Sequence, residues 1–284
     1  MTDRGCVFFN FGTKCLNMLF VALFTLRRHY DGAVTVLLTG VPDEEDFRAS
    51  LSSLDIDFRS FSRAGYHKCS LRAKIEDLSP YRTTLIFDSD LLFLDSPEPL
   101  WQPTEDSGIL VTRFHPNPYG IGGSAEQPGF AYRLGHFNEV SHLVNPDDFK
   151  RATTRLLEEG IDINVGVMGF TRPQANNFLV EFSESMKADP AINLIDESLT
   201  NVLITKYSHY LADEKWNCPA DEMFRKTPLS DAKIVHYFGD GCVVDGRRLG
   251  RNHETEAGKL WFKTFDEMRE QLPIQQWTEF EILP

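Results

Sequence analysis

Cysteine is scarce in this chain and follows no pattern. The five residues, Cys6, Cys15, Cys69, Cys218 and Cys242, are odd in number, widely scattered and never in Cys-x-x-Cys spacing. That leaves no basis for a disulfide framework or a zinc knuckle and reads as idle thiols in a reducing compartment. Positive charge is also short, with 29 Lys and Arg against 42 Asp and Glu and a formal net charge of −13. Phosphate backbones are bound by clustered Lys and Arg, and no basic run is present, which argues against a nucleic-acid partner. An anionic ligand must therefore meet a metal or a few placed basic side chains. Long apolar runs are missing too. The stretch from Cys6 to Leu26 is interrupted by Asn10, Gly12, Thr13, Lys14 and Asn17, so it reads as strand, loop and helix rather than as a signal or membrane anchor. The expectation is a cytoplasmic chain without a membrane span, or a domain cut from a longer protein. Internal repeats and low-complexity segments are lacking as well.

What is present is the composition of a packed globular protein, 42% hydrophobic and 25% charged, with 22 Phe among 284 residues. The length suits one large α/β domain, expected over 1–284 with 245–284 as a C-terminal helical extension. An apolar run from Cys6 to Asn10 reads as a strand, and Leu16 to Leu26 as a helix ending at Arg27-Arg28. Ala33 to Leu38 is a second strand and Asp43 to Leu54 a second helix, and such alternation predicts a parallel sheet. Further helices are expected at 71–78, 149–158, 175–186, 197–204 and 256–272, and further strands at 83–87, 109–112, 165–170 and 234–237. The segment from His115 to Gly135, dense in Gly, Pro and Asn, reads as a long surface loop.

The continuously apolar strand Thr83 to Phe87 is expected to be buried on both faces, and it ends at Asp88-Ser89-Asp90. Ligands of open α/β sheets gather at the carboxyl ends of strands, so two carboxylates there call for an explanation. One residue apart in a turn, both can reach a single Mg²⁺ or Mn²⁺, hard cations that prefer oxygen ligands and keep positions open for phosphate oxygens. Such a cation neutralises a diphosphate and stabilises the charge that grows on it as a leaving group. An Asp-x-Asp triplet also arises by chance in surface turns. Here the buried strand before it and apolar Leu91-Leu92-Phe93-Leu94 after it favour the metal reading.

Lys74 through Ser79-Pro80-Tyr81, followed by Thr84-Leu85-Ile86-Phe87-Asp88-Ser89-Asp90-Leu91-Leu92-Phe93-Leu94, resembles the aspartate-x-aspartate region of family-8 glycosyltransferases, the glycogenin-like and bacterial galactosyltransferase-like enzymes. Asn164-Val165-Gly166-Val167-Met168-Gly169-Phe170 resembles the Asn-x-Gly-apolar strand of that family, and Asp196 to Asn201 its Asp-Gln-x-x-x-Asn helix start. Lys233 to Gly239, with His236 inside it, resembles the late His-containing strand. Four blocks in the family's order across roughly residues 6 to 240 are more specific than any one of them.

The resemblance implies a GT-A (Rossmann-like) α/β fold with a mixed, mostly parallel central sheet flanked by helices. It also implies transfer of a hexose from a nucleotide-diphosphate sugar, a UDP-sugar, to a carbohydrate or other hydroxyl acceptor, with Mn²⁺ or Mg²⁺ as cofactor. Asp88, Asp90 and His236 would bind the metal, with Ser89 between them at the donor. Asn10, Phe11 and Gly12 would hold the base and ribose, and Lys74, or Arg72 if the helix is offset, the diphosphate or sugar. Asn164, Gly166 and Asp196 would meet the donor sugar. Glu197 stands where the family usually has Gln, near the anomeric carbon, and a carboxylate there leaves nucleophile and base roles, hence retention and inversion, both open. Gly239-Asp240-Gly241-Cys242 replaces the family's Lys-Pro-Trp.

Plainer readings stand beside these: His236 as a hydrogen-bonded core residue, Asp196 as a helix N-cap, Asn201 as structural, and Lys74 and Arg72 on a solvated helix face. A haloacid-dehalogenase-type Mg²⁺-dependent phosphatase is the rival enzyme, with Gly239-Asp240 and Asp245 imitating its second motif. Leu91-Leu92 replaces the Gly-Thr expected there, and the motif comes after two strand-helix units. A non-catalytic chain that keeps the fold is the third reading.

Overall fold

The computed structural model describes residues 2–12, 15–40, 45, 48–49, 51–61, 75–115, 128–189, 192, 195–238, 244–245, 248–249 and 253–272. Lys74, Arg72, the segment 239–243 and residues 43, 44, 46, 47 and 50 of the helix expected over 43–54 lie outside them. In chain order the elements are β1 (Thr2–Phe11), α1 (Leu16–Arg27), β2 (Val34–Thr39), β3 (Asp57–Ser60), α2 (Ile75–Leu78), β4 (Tyr81–Phe87), β5 (Leu91–Phe93), α3 (Trp101–Ser107), β6 (Ile109–Phe114), α4 (Pro128–Val140) and α5 (Pro146–Thr154). They continue with β7 (Asp162–Thr171), α6 (Asn176–Ala188), α7 (Ile195–Leu203), β8 (Tyr210–Ala212), β9 (Cys218–Pro219), β10 (Ile234–His236), the two-residue strands β11 (Val244–Asp245) and β12 (Arg248–Leu249), and α8 (Glu256–Gln271).

Seven strands form the central sheet in the order β3-β2-β1-β4-β7-β6-β8. The run β3-β2-β1-β4 is parallel, as the strand-helix alternation requires, and β7 enters antiparallel to both β4 and β6. The inner parallel strands β2 and β4 are largely β-branched or apolar and buried because both faces are covered, whereas the edge strand β3 is polar and mostly exposed. One covering layer is α1, buried at nearly every position from Leu16 to Leu26, with Trp261, Phe265 and Met268 of α8 in the same apolar cluster. The other holds Phe137 of α4, Phe178 and Phe182 of α6 and Leu199 of α7. No helix among the described residues is long and apolar enough to cross a membrane.

One expectation changes. The segment read as loop through Gly135 is already helical from Pro128. Pro is compatible with the first helical turn, and burial of Phe137 and Val140 outweighs the weak helical propensity of Gly129 and Gly135. The short strands β3, β8 and β9 went unread because runs of two to four residues carry little periodicity.

A second small sheet, β5-β10-β9, positions the site. The apolar run after Asp90 is β5, which pairs antiparallel with β10 so that Leu91 faces His236. Phe93 N–H donates to Thr25 Oγ1 of α1 at 3.1 Å, which ties this small sheet to the main layers.

Candidate metal centre

Asp88 follows β4 directly, and its N–H donates to the Gly166 carbonyl of the neighbouring strand at 2.9 Å. Ser89 Oγ donates to the Phe9 carbonyl at 2.8 Å, fixing the turn to the end of β1. Tyr237 N–H donates to the Asp90 carbonyl at 2.9 Å. Three strands thus hold a turn of three residues. His236 Nε2 then lies 3.1 Å from Asp90 Oδ1 and 3.8 Å from Asp88 Oδ2. One ligand atom from each of the three residues lies within 4.8 Å of the others. Two carboxylates and an imidazole suit Mn²⁺ or Mg²⁺, and the half-buried carboxylates leave one side open to solvent-borne ligands.

His236 is 1% exposed. Burial alone would disfavour its charged form, but the attraction of Asp90, Asp88 and Glu197 prevails and raises its pKa above the ordinary 6.5. Protonated His236 therefore stabilises the metal-free protein fully below about pH 6.5, and that contribution is lost as pH rises through the folded pKa. A cation competes with the same proton. The rise in thermal midpoint caused by Mn²⁺ is thus expected to grow as pH increases from about 5.5 to about 8.5, and a rise independent of pH would contradict this account.

The strand beside the turn is irregular. Between Val111 and Thr112 the partner register on β7 jumps from Met168 to Asn164, so Val165, Gly166 and Val167 bulge out of the ladder with β6, while Val167 still pairs with Phe87 of β4. Bulges re-aim side chains next to sites. Here the bulge turns the backbone of Gly166 against the His236 ring: a Cβ on Gly166 would fall 2.6 Å from His236 Nδ1, closer still to Cε1, and 3.0 Å from Asn164 Oδ1. Asn164 Oδ1 accepts from Gly166 N–H and from Asn217 Nδ2, each at 2.9 Å. Any sugar contact of Asn164 would therefore come from its Nδ2.

At the end of β1, Asn10 is buried, its Nδ2 donates to the Gly12 carbonyl at 2.8 Å, and its Oδ1 has no hydrogen-bond partner among the described residues. An orphaned buried acceptor is a place for a ligand N–H or O–H. Phe11 packs edge-on against Phe61 at 6.1 Å, and Gly12 turns the chain with φ of 63°. Asp196 and Glu197 lie buried in the first turn of α7. Asn201 proves structural: it bonds both the N–H and the carbonyl of Ile163 and so ties α7 to β7.

Arg133, Asp162 and Asn217 were not singled out from the sequence. Arg133 is 4% exposed and its guanidinium pairs with both Asp162 and Glu197. Burial works against its charge, yet the two carboxylates raise its pKa above the ordinary value. The available signal was Asp162, a charged residue opening an apolar strand, which demands a buried partner.

The fold is that of the GT-A glycosyltransferases. LgtC, a galactosyltransferase solved in complex with donor and acceptor sugar analogues, superposes with a TM-score of 0.61 at 16% identity, over 97% of this chain and 98% of LgtC. The bifunctional glycosyltransferase WbbM gives 0.63 at 15%, over 96% of this chain and 50% of WbbM. GlyE of Streptococcus pneumoniae gives 0.58 at 15%, over 98% and 66%. The chain thus spans half the length of WbbM and just under two thirds of GlyE. No protein-family model matches the sequence, and no curated protein matches it.

Proposed function

We propose that the chain is a metal-dependent glycosyltransferase that moves a hexose from a UDP-sugar to a hydroxyl acceptor, and that residues 1–284 act as one domain with 245–284 as a helical extension. The observation that carries this reading is the Asp88, Asp90 and His236 cluster at the carboxyl end of β4. A cation held there supplies charge neutralisation for the diphosphate, in the ground state and as it departs. The end of β1 receives the nucleoside, with the orphaned Asn10 Oδ1 as acceptor for a base or ribose donor. Asn164 and Asp196 orient the sugar. Glu197, whose charge reaches His236, faces the anomeric carbon. In the transfer, the acceptor oxygen forms the new bond and the bond from the anomeric carbon to the diphosphate breaks. Its electron pair passes to the diphosphate, and the acceptor proton ends on the diphosphate or in solvent.

The phosphatase alternative loses support because the group facing Asp90 and Asp88 is the imidazole of His236. The test is a panel of nucleotide-sugars with and without Mn²⁺, read by thermal midpoint and nucleotide release. A Mn²⁺-dependent shift with one donor and its slow hydrolysis are expected. No shift with any donor, together with phosphate release from a phosphomonoester, would move the assignment to the phosphatase, and silence in both assays to a non-catalytic chain.

A further inference from the structure

Glu197 does not stand alone. Asp162, fully buried on β7, accepts from the Ile163 N–H at 2.8 Å through Oδ1 and so is fixed to the strand. Arg133 comes from α4, which packs on α7, and pairs with Asp162 through Nε and Nη2, the latter at 2.9 Å. The same Nη2 lies 2.8 Å from Glu197 Oε1. The order of anchoring is therefore strand to Asp162, Asp162 to Arg133, Arg133 to Glu197. Arg155 completes the set. Its Nη2 donates to the Asn201 carbonyl and Oδ1, and its charge acts on Asp162. The Arg133 guanidinium thus lies between two buried carboxylates, and the partly buried Arg155 adds positive charge near Asp162.

A carboxylate at position 197 accepts a charge-assisted hydrogen bond from Arg133 Nη2, which a neutral amide would accept more weakly and without fixing its orientation. The rigid fork of an arginine also fixes direction, which a lysine does not. We propose that Arg133 is a positioning residue for sugar transfer: it makes a carboxylate at 197 compatible with the buried site and fixes its angle toward the donor. This rests on the glycosyltransferase reading and on Glu197 facing the sugar.

The test measures Mn²⁺-dependent hydrolysis of the panel's fastest nucleotide-sugar by the full chain and its Arg133→Lys, Glu197→Gln and Arg133→Met/Glu197→Gln variants. Misplacement of a reacting group by about 1 Å lowers rate on the order of 10²-fold. Arg133→Lys is expected to lose kcat by that factor, with donor KM, Mn²⁺ dependence and melting close to those of the parent chain. Glu197→Gln is expected to lose a similar factor, and the double variant no more than either single one, because the two act as a unit. Parent-like kcat in Arg133→Lys, a loss of kcat matched by loss of melting and Mn²⁺ dependence, or multiplied losses in the double variant would each overturn the positioning role. A parent chain that hydrolyses no donor would instead overturn the underlying reading, and this one with it.

Discussion

Asp88→Ala and Asp90→Ala are each expected to lower turnover by about 10³-fold or more, with little change in the melting of the metal-free protein. Both side chains are partly exposed, at 33% and 21%, so neither fills the core. Each also adds negative charge beside the other, and together they raise the pKa of His236. Removing one carboxylate relieves that repulsion and at the same time takes away an oxygen ligand that water replaces poorly. Nucleotide release from the donor at saturating Mn²⁺, set beside the melting curve without metal, separates the two effects. Turnover retained in both variants would end the metal model, and collapse of the fold in both would show that the aspartates serve structure first.

Gly166→Ala is expected to act on the same centre from behind. The methyl group would occupy space now filled by the His236 ring and the Asn164 oxygen. Neither neighbour yields easily: His236 is buried on β10 against β5, and Asn164 is held by Asn217. Overpacking of this kind costs about 1–3 kcal/mol, so the variant should still fold but with the imidazole displaced. The expected result is a midpoint lowered by several degrees and an apparent Mn²⁺ affinity reduced about 10-fold or more, since ligand geometry limits affinity. Titration of Mn²⁺ against the thermal midpoint reads both. Unchanged Mn²⁺ affinity would mean that His236 is not a ligand, however well Asp88 and Asp90 perform.

The carboxylate pair was legible from residue type and place, two aspartates at the end of an apolar strand, while His236 was singled out only through the resemblance of its late strand; the structure brings the three together. The parallel half of the sheet was legible for a related reason, since β1, β2 and β4 are long enough for their apolar runs to register. What joins the pieces was not. Leu91 to Phe93 marked the motif as unusual, but only the pairing of β5 with β10 shows that this run delivers His236. The bulge at Val165 to Val167 depends on a register between two strands, which no single segment encodes. Arg133 sits on a helix inside a stretch rich in loop-forming residues, where a lone arginine reads as surface. Its pairing depends on Asp162 and Glu197, one on the bulged strand β7 and the other on a separate helix.

The hydrogen bond between His236 and Asp90 spans 146 positions of chain. Closing so long a loop is entropically costly and slow, so the three-residue centre cannot exist in a nascent or partly unfolded chain that has assembled only its first strands. The Asp88 and Asp90 turn can form early with β4, but its imidazole arrives only when β10 slots against β5. If the centre binds a cation as proposed, tight binding would count the molecules in which the late strand has docked, and a weakly binding fraction would measure incomplete folding in a preparation.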